Sequence, residues 1–225
     1  MANEIKPPRL LVWITIGVLI FLSAIVIYIC QNQPHDSFLL NIEGQPTLGS
    51  REAKVQVVVF EEPRCINCKE FNRKIYPKIK AEFIDTDKVS YTVIPVSFLP
   101  HSMPAAVALM CVYHRNSGEA DSQSFIKYLD YLIEHQNQEI TTESLTLFAK
   151  EALGNIRTDF LKKCINDNTY RNRIEQNTAY GRKLMGGVIA TPTIFVNGEE
   201  PKYLSFEEIS FLINQAMENQ EETSA

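Results

Sequence analysis

The sequence predicts an α/β domain that is interrupted by an all-helical block and preceded by one transmembrane helix. Three observations lead to this prediction. Residues 10–30 carry no charge, apolar strand-like runs occur at 55–60, 89–96 and 193–196, and between the last two runs the apolar residues repeat at helical spacing. The predicted order of elements is therefore β, α, β, a helical block, a β-hairpin and a final α.

The composition is that of an ordinary globular protein. Of the 225 residues, 45% are apolar and 22% are charged, which excludes general disorder and a polytopic membrane protein. The formal net charge is −5 and no basic patch stands out, so no nucleic-acid partner is expected. Five cysteines are too few for a disulfide-stapled mini-protein.

The uncharged stretch Leu10–Cys30 has the length of a membrane span. At about 1.5 Å per residue it would cover roughly 31 Å of a bilayer. Lys6 and Arg9 precede it and the next basic residue is Arg51, so the positive-inside rule leaves the N-terminus in the cytoplasm and exports the remainder. We expect an uncleaved single-pass anchor. Cleavage, or lipidation at Cys30, is the alternative, although bulky residues precede that cysteine.

The first elements of the exported part have clear local signals. Residues 55–60 are almost continuously β-branched, which is typical of a buried central strand, and Pro63 ends the run. Helical character follows over 65–83, and a second strand over 89–96 contains Pro95 near its end. Gly44–Ser50, ahead of the first strand, is predicted to be a turn region.

The helical block extends from Ser102 to about Leu184, with Pro104 in its first turn, where a helix accepts proline. Strand character returns at 193–196, and the turn Asn197-Gly198 predicts a hairpin with a short partner strand near 202–204. The last helix is predicted to begin at Ser205, with Glu208 completing a capping box. The resulting organisation is a cytoplasmic N-terminus at 1–9, an anchor at 10–30, a stalk at 31–45, the domain at 46–218 with its helical insertion at about 100–185, and a frayed tail at 219–225.

The motif Cys65-Ile66-Asn67-Cys68 lies between a strand and a helix. Cys65 is predicted at the helix N-terminus, where free N–H groups and the helix dipole favour the thiolate, the nucleophile of disulfide exchange. Cys68, one turn along, can close on Cys65 and release a mixed disulfide. The alternatives are an inert structural disulfide, or half of a zinc site completed by Cys111 and His114, which lie on a hydrophobic helical face. No metal and no cofactor is expected.

These motifs resemble those of the DsbA-like branch of the thioredoxin superfamily, the extracytoplasmic thiol-disulfide oxidoreductases. The match begins near residues 48–55, continues through 60–71 and ends with 187–198, so that it covers roughly residues 46–218. The resemblance implies a thioredoxin-like fold with an inserted all-helical subdomain. It also implies that Pro192 is cis and faces the cysteines, which would leave the backbone of Thr191 free to pair with an extended substrate peptide.

The sequence departs from the family pattern at three places. Ile66-Asn67 stands where strongly oxidising members often carry Pro-His, so a weaker oxidant is expected. Ala190 replaces a common glycine, and Val59 holds the position at which some relatives have a buried acid. Glu61 and Glu62 lie nearby, but the sequence does not tell whether either points towards the second cysteine.

Cys111 and Cys164 are the remaining exported cysteines. Each lies on an apolar helical stripe, so two buried thiols are one interpretation. The exported compartment favours oxidation of paired cysteines, and the resemblance allows a second, non-catalytic bridge at similar places. We expect a structural Cys111–Cys164 disulfide without a catalytic role.

The sequence therefore predicts a membrane-tethered thiol-disulfide oxidoreductase in the periplasm or extracytoplasmic space. It is expected to form disulfides in cysteine-containing exported proteins and to depend on a membrane redox partner that re-oxidises or re-reduces the active-site pair. It is expected to be a monomer, because no separate dimerisation domain precedes Leu48. The alternatives are a reductase or isomerase of the same fold, a non-enzymatic binding or chaperone module, and a metal chaperone.

Overall fold

The structure, a computed structural model, describes residues 9–31, 39–115 and 120–222. The chain divides into two compact units, Met1–Ser37 and Phe38–Ala225. In the first unit, helix α1 spans Arg9–Gln31. The predicted transmembrane helix is not confirmed, because no helix within the described part of the chain meets the length and apolarity needed to cross a membrane. Residues 1–8, residues 32–38 of the predicted stalk and the side chain of Cys30 lie outside the described residues.

The second unit is built on a mixed sheet with the strand order β1-β3-β2-β4. Its central strands β2 and β3 run parallel, with Val57 opposite Tyr91, while β1 pairs antiparallel with β3 and β4 pairs antiparallel with β2. Every residue of β2 and β3 is buried, in agreement with the β-branched runs that predicted them. The strands are β1 (Thr47–Gly49), β2 (Val55–Glu61), β3 (Val89–Pro95) and β4 (Thr193–Val196).

The helical insertion between β3 and β4 is confirmed. Its first helix has Pro104 in the first turn, as the sequence predicts. The insertion consists of α4 (Met103–Tyr113), α5 (Ser122–Glu134), α6 (Thr142–Leu153), α7 (Thr158–Asn166) and α8 (Arg171–Leu184). The helices outside it are α2 (Ile66–Lys74), α3 (Tyr76–Ile79), a short π-helix (Lys80–Ile84) and α9 (Phe206–Glu222).

The two faces of the sheet belong to different hydrophobic clusters. Val57 and Val59 of β2 join the larger cluster, which includes residues of α4 and α9 such as Leu109 and Ile213. Val58, on the opposite face, joins a smaller cluster with residues of β4 and α8. Both faces of β2 are therefore covered, and the Cys65-Ile66-Asn67-Cys68 motif follows shortly after its carboxyl end.

Two local predictions about strands are wrong. Residues 47–49, predicted to be part of a turn region, form the edge strand β1, which pairs with residues more than forty positions away and ends at Gly49 with φ +71°. A side chain at Gly49 would also meet the Val89 carbonyl oxygen at 2.3 Å. The predicted partner strand at 202–204 does not form, because a single bridge between Val196 and Glu199 closes the hairpin and Pro201 has no N–H to extend it.

The ends of the domain also differ from the prediction. The predicted stalk at 31–45 reaches too far, since Leu40 is buried and exchanges two hydrogen bonds with the Gln56 side chain, at 2.8 and 3.1 Å. At the other end, α9 extends to Glu222, so residues 219–222 of the predicted tail are helical. Ser205 accepts a hydrogen bond from the Glu208 N–H at 3.2 Å, which is one half of the predicted capping box.

Candidate active site

The fold places Cys65 at the N-terminus of helix α2. β2 stops at Glu61, and the chain turns so that the Cys65 N–H donates to the Glu62 carbonyl at 3.0 Å. Cys65 is the N-cap residue of α2, with extended backbone angles, and its carbonyl accepts from the Lys69 N–H at 3.3 Å. The first N–H groups of α2 therefore point towards the Cys65 side chain and favour a negative charge there.

The two cysteines of the motif are free thiols with opposite electrostatic properties. A hydrogen bond from the Cys68 thiol is the main reason that the pKa of Cys65 is lowered to about 5. Burial raises the pKa of Cys68 well above its ordinary value. Cys65 keeps 8% of its surface exposed and Cys68 none. At neutral pH the pair therefore consists of a reactive thiolate and a shielded thiol.

The loop before β4 forms the opposite wall of the site. The Thr191–Pro192 peptide bond is cis, and the Cys65 Sγ lies 3.1 Å from the Thr191 carbonyl oxygen. The Thr191 hydroxyl is buried and has no other hydrogen-bond partner, and it is one of the groups that lower the Cys65 pKa. Two segments 126 residues apart in sequence thus meet at one sulfur atom.

A groove of about 560 Å³ extends from this meeting point between α2 and the start of α9. Its floor and walls combine apolar side chains, such as Phe71 and Phe206, with the backbone of Thr191 and Pro192. Ile66, within the motif, is 63% exposed. The groove therefore begins at the Thr191 loop that contacts the Cys65 sulfur.

Two buried carboxyl groups lie behind the cysteines. Glu61 is 1% exposed and accepts a hydrogen bond from the Asn72 side chain at 2.5 Å; burial raises its pKa to about 8. Its charge is one of the causes that raise the Cys68 pKa. Glu62 accepts a hydrogen bond from the Arg64 N–H at 2.8 Å, and burial raises its pKa to about 6. Of the two carboxyl groups, Glu61 is therefore the one whose charge, in its ionised form, raises the Cys68 pKa, a question that the sequence left open.

Gln136 also reaches the site and was missed in the sequence analysis. It lies in the connection between α5 and α6 and is 5% exposed, and with its amide oriented to satisfy its neighbours its nitrogen faces the carbonyl oxygens of Arg64 and Cys65. Nothing in its local sequence distinguishes it from the neighbouring polar residues. Its contact with the motif depends on how the helical insertion packs, which the sequence alone does not reveal.

Cys111 and Cys164 are bonded to each other and are not free thiols. Cys111 of α4 and Cys164 of α7 are joined by a disulfide with a Cα–Cα distance of 6.1 Å. The Cys111 sulfur is therefore not a zinc ligand in this structure. His114, the other half of the zinc alternative, ends α4 and stacks on the Tyr170 ring with a centroid distance of 4.9 Å.

Comparison with known protein families gives a match over most of the domain. The family described as Thioredoxin matches residues 41–215. The disulfide bond formation protein D of Bacillus subtilis is 30% identical over 181 residues, which cover 79% of each chain. A putative protein-disulfide oxidoreductase of Rickettsia bellii is 27% identical, and that alignment covers 78% of this chain and 66% of the relative.

Solved structures with a similar fold come from the same group of proteins. The chain is similar to DsbA of Chlamydia trachomatis with a TM-score of 0.73 and 33% identity, over 84% of this chain and 98% of that one. It is also similar to oxidised BdbD of Bacillus subtilis, with a TM-score of 0.72 and 30% identity, over 80% of this chain and 97% of that one.

Proposed function

Because the chain belongs to the DsbA-like branch of the thioredoxin family, whose members are thiol-disulfide oxidoreductases, we propose that it introduces disulfides into exported proteins through Cys65 and Cys68. The observation that carries the direction of the reaction is the lowered pKa of Cys65, about 5. A stabilised thiolate favours the reduced pair, so the oxidised pair is a ready acceptor of electrons.

The proposed reaction has two exchange steps. A substrate thiolate attacks the Cys65 sulfur of the oxidised pair, the Cys65–Cys68 bond breaks, and Cys68 leaves as a thiolate that takes up a proton. Glu61, protonated at neutral pH because of its burial, is the nearby source of that proton. A second substrate thiolate then attacks the mixed disulfide, and Cys65 leaves as the stabilised thiolate. The substrate has lost two electrons and the enzyme pair has gained them.

The groove beside the motif is the proposed substrate site. An extended peptide in it could pair with the backbone of Thr191 next to Pro192 while its cysteine reaches Cys65. The apolar walls at Phe71 and Phe206 suit the side chains of an unfolded rather than a folded substrate. All of these groups come from one chain, which supports a monomeric enzyme.

We further propose that Leu10–Cys30 anchors the enzyme in the cytoplasmic membrane, with its catalytic domain on the extracytoplasmic side. The support is the uncharged sequence of this stretch and the position of Lys6 and Arg9 before it. A membrane redox partner that accepts two electrons would restore the disulfide after each cycle. A reporter that works only outside the cytoplasm, fused to the C-terminus of this chain, tests the orientation and is expected to be active. Activity of a cytoplasm-only reporter at the same position would contradict it.

A redox titration of the full-length protein against glutathione, with alkylation of free thiols at each ratio, tests the direction. An oxidising equilibrium is expected from the lowered Cys65 pKa, less oxidising than that of family members with Pro-His between the cysteines. A strongly reducing equilibrium would indicate a reductase, and a bond that does not open would indicate an inert bridge. Cys68→Ala should trap mixed disulfides with exported proteins, since the resolving thiol is absent. Cys65→Ala is the matched control and should trap none. Equal trapping by both variants would contradict the assigned roles.

A further inference from the structure

The helical insertion touches the active-site turn at the end of α5. Glu134 is the last residue of α5, and its side chain lies 3.1 Å from the Lys69 Nζ and 3.6 Å from the Arg73 Nε, both on α2. The Lys69 Nζ also donates to the Glu134 carbonyl at 2.9 Å. Two residues further along, Gln136 reaches the motif itself. The chain segment 134–136 therefore contacts the active-site helix from its first turn to its second.

The contacts of Gln136 are specific to its amide group. With the amide oriented to satisfy its neighbours, its Nε2 donates to the carbonyl oxygens of Arg64 and Cys65 at 3.2 Å each. These are the two consecutive carbonyl groups on either side of the Cys65 backbone. The side chain is 5% exposed, so the two hydrogen bonds have little competition from solvent.

The charges around Cys65 explain why a neutral donor is suited to this position. Glu61 and Glu62 are both buried close enough to Cys65 for their charges to interact with its thiolate. One N–H of the Arg64 guanidinium donates to the Pro100 carbonyl at 3.3 Å. The amide of Gln136 adds the positive end of a dipole to this acidic surrounding, without adding a further charge that would need a partner.

From these contacts we infer that Gln136 is a positioning residue of the helical insertion, which fixes the Arg64 and Cys65 carbonyl groups and thereby sets how well Cys65 carries a negative charge. This inference rests on the proposed function only for its redox readout. The contact between the helical insertion and the motif then has a role in the chemistry of Cys65. The insertion is then part of the active site, in addition to being a cover over the sheet.

The test compares Gln136→Glu with Gln138→Glu in the full-length protein. Gln138 lies two residues further on in the same connection and is exposed, so it offers the same change of charge without the contact. Gln136→Glu places a carboxylate against two carbonyl oxygens and near the thiolate. The pKa of Cys65, followed by thiolate absorbance as a function of pH, is expected to rise by about one unit. The control should stay within about 0.2 unit of the unmodified protein.

A second readout separates positioning from folding. A rise of one unit in the Cys65 pKa makes the oxidised pair about tenfold less oxidising against glutathione near neutral pH. If Gln136 only stabilises the fold, the substitution lowers the unfolding temperature and leaves this equilibrium unchanged. If Gln136→Glu does not fold, Gln136→Met removes the donors at nearly constant side-chain length and should raise the pKa by about half a unit.

The inference is overturned if Gln136→Glu and Gln138→Glu give the same Cys65 pKa, or if folded Gln136→Met retains the original value. The absorbance measurement needs no substrate. If the unmodified protein failed to exchange with glutathione, the proposed function would be wrong, and the pKa comparison would still decide the role of Gln136.

Discussion

A change of pH tests the lowered pKa of Cys65 without any mutation. In the folded, reduced protein this pKa is about 5, whereas an unfolded chain has a cysteine pKa of about 8.5. Between these values the unfolded chain binds a proton that the folded chain has released, so the stability of the reduced form rises with pH. This contribution is complete above the unfolded value and is lost as the pH falls through the folded value.

The magnitude follows from the two pKa values. One group titrating between them contributes about 1.4 kcal/mol per pH unit. Between about pH 5 and pH 7, the free energy of unfolding of the reduced form should therefore rise by about 2 kcal/mol relative to that of the oxidised form. Glu61 and Glu62, with pKa values raised to about 8 and about 6, oppose this trend as the pH rises. Because both carboxyl groups are present in both redox forms, most of their effect cancels in the difference.

Urea unfolding of the full-length protein, followed by circular dichroism in reduced and oxidised samples at several pH values, measures this difference. Reduced Cys65→Ala is the control and should lack the part of the rise that belongs to the thiolate. A difference between the redox forms that stays flat over this pH range would refute the conclusion that the folded protein stabilises the Cys65 thiolate.

Three further substitutions test other parts of the site. Thr191→Val removes a hydroxyl that faces the thiolate and should raise the Cys65 pKa by about one unit, measured by thiolate absorbance; an unchanged value would assign the whole effect to other donors. Replacing Cys111 and Cys164 by serine opens a loop with a sequence separation of 53 and should lower the free energy of unfolding by about 4 kcal/mol in denaturant titrations. The glutathione equilibrium of the active-site pair should not change, and a shift would show that the two pairs are coupled. Glu61→Gln keeps the hydrogen bond but removes the titrating group, so stopped-flow exchange should slow about tenfold near neutral pH; an unchanged rate would exclude it as the proton source.

The parts of the site that the sequence predicted are those with local signals. Cys65 and Cys68 stand at a fixed spacing between a strand and a helix, and Thr191-Pro192 stands directly before a β-branched run. Such patterns depend on the backbone geometry of a few consecutive residues, and the local sequence is enough to determine that geometry. The buried strand at 55–60 was equally clear, because a strand covered on both faces needs apolar residues at nearly every position.

The parts that the sequence did not predict depend on contacts between distant segments. Glu61 and Glu62 are consecutive, so near the end of a strand their side chains point to different sides, and the sequence does not say which side holds Cys68. Gln136 is one of several polar residues in its connection, and only the packing of α5 against α2 brings it to the motif. The short strand β1 likewise exists because β3 lies beside it.

The long separation between Cys65 and Thr191 has a consequence for the biosynthesis of the enzyme. As the chain is made from its N-terminus, Cys65, Cys68 and Cys111 all emerge well before Thr191, which contacts the Cys65 sulfur across 126 residues. The nascent chain therefore lacks, until Thr191 is made, the wall that completes the site. The part of the lowered Cys65 pKa that depends on Thr191 is acquired only when β4 has been synthesised and has paired with β2, so the thiolate of a partly synthesised chain is less stabilised than that of the complete enzyme.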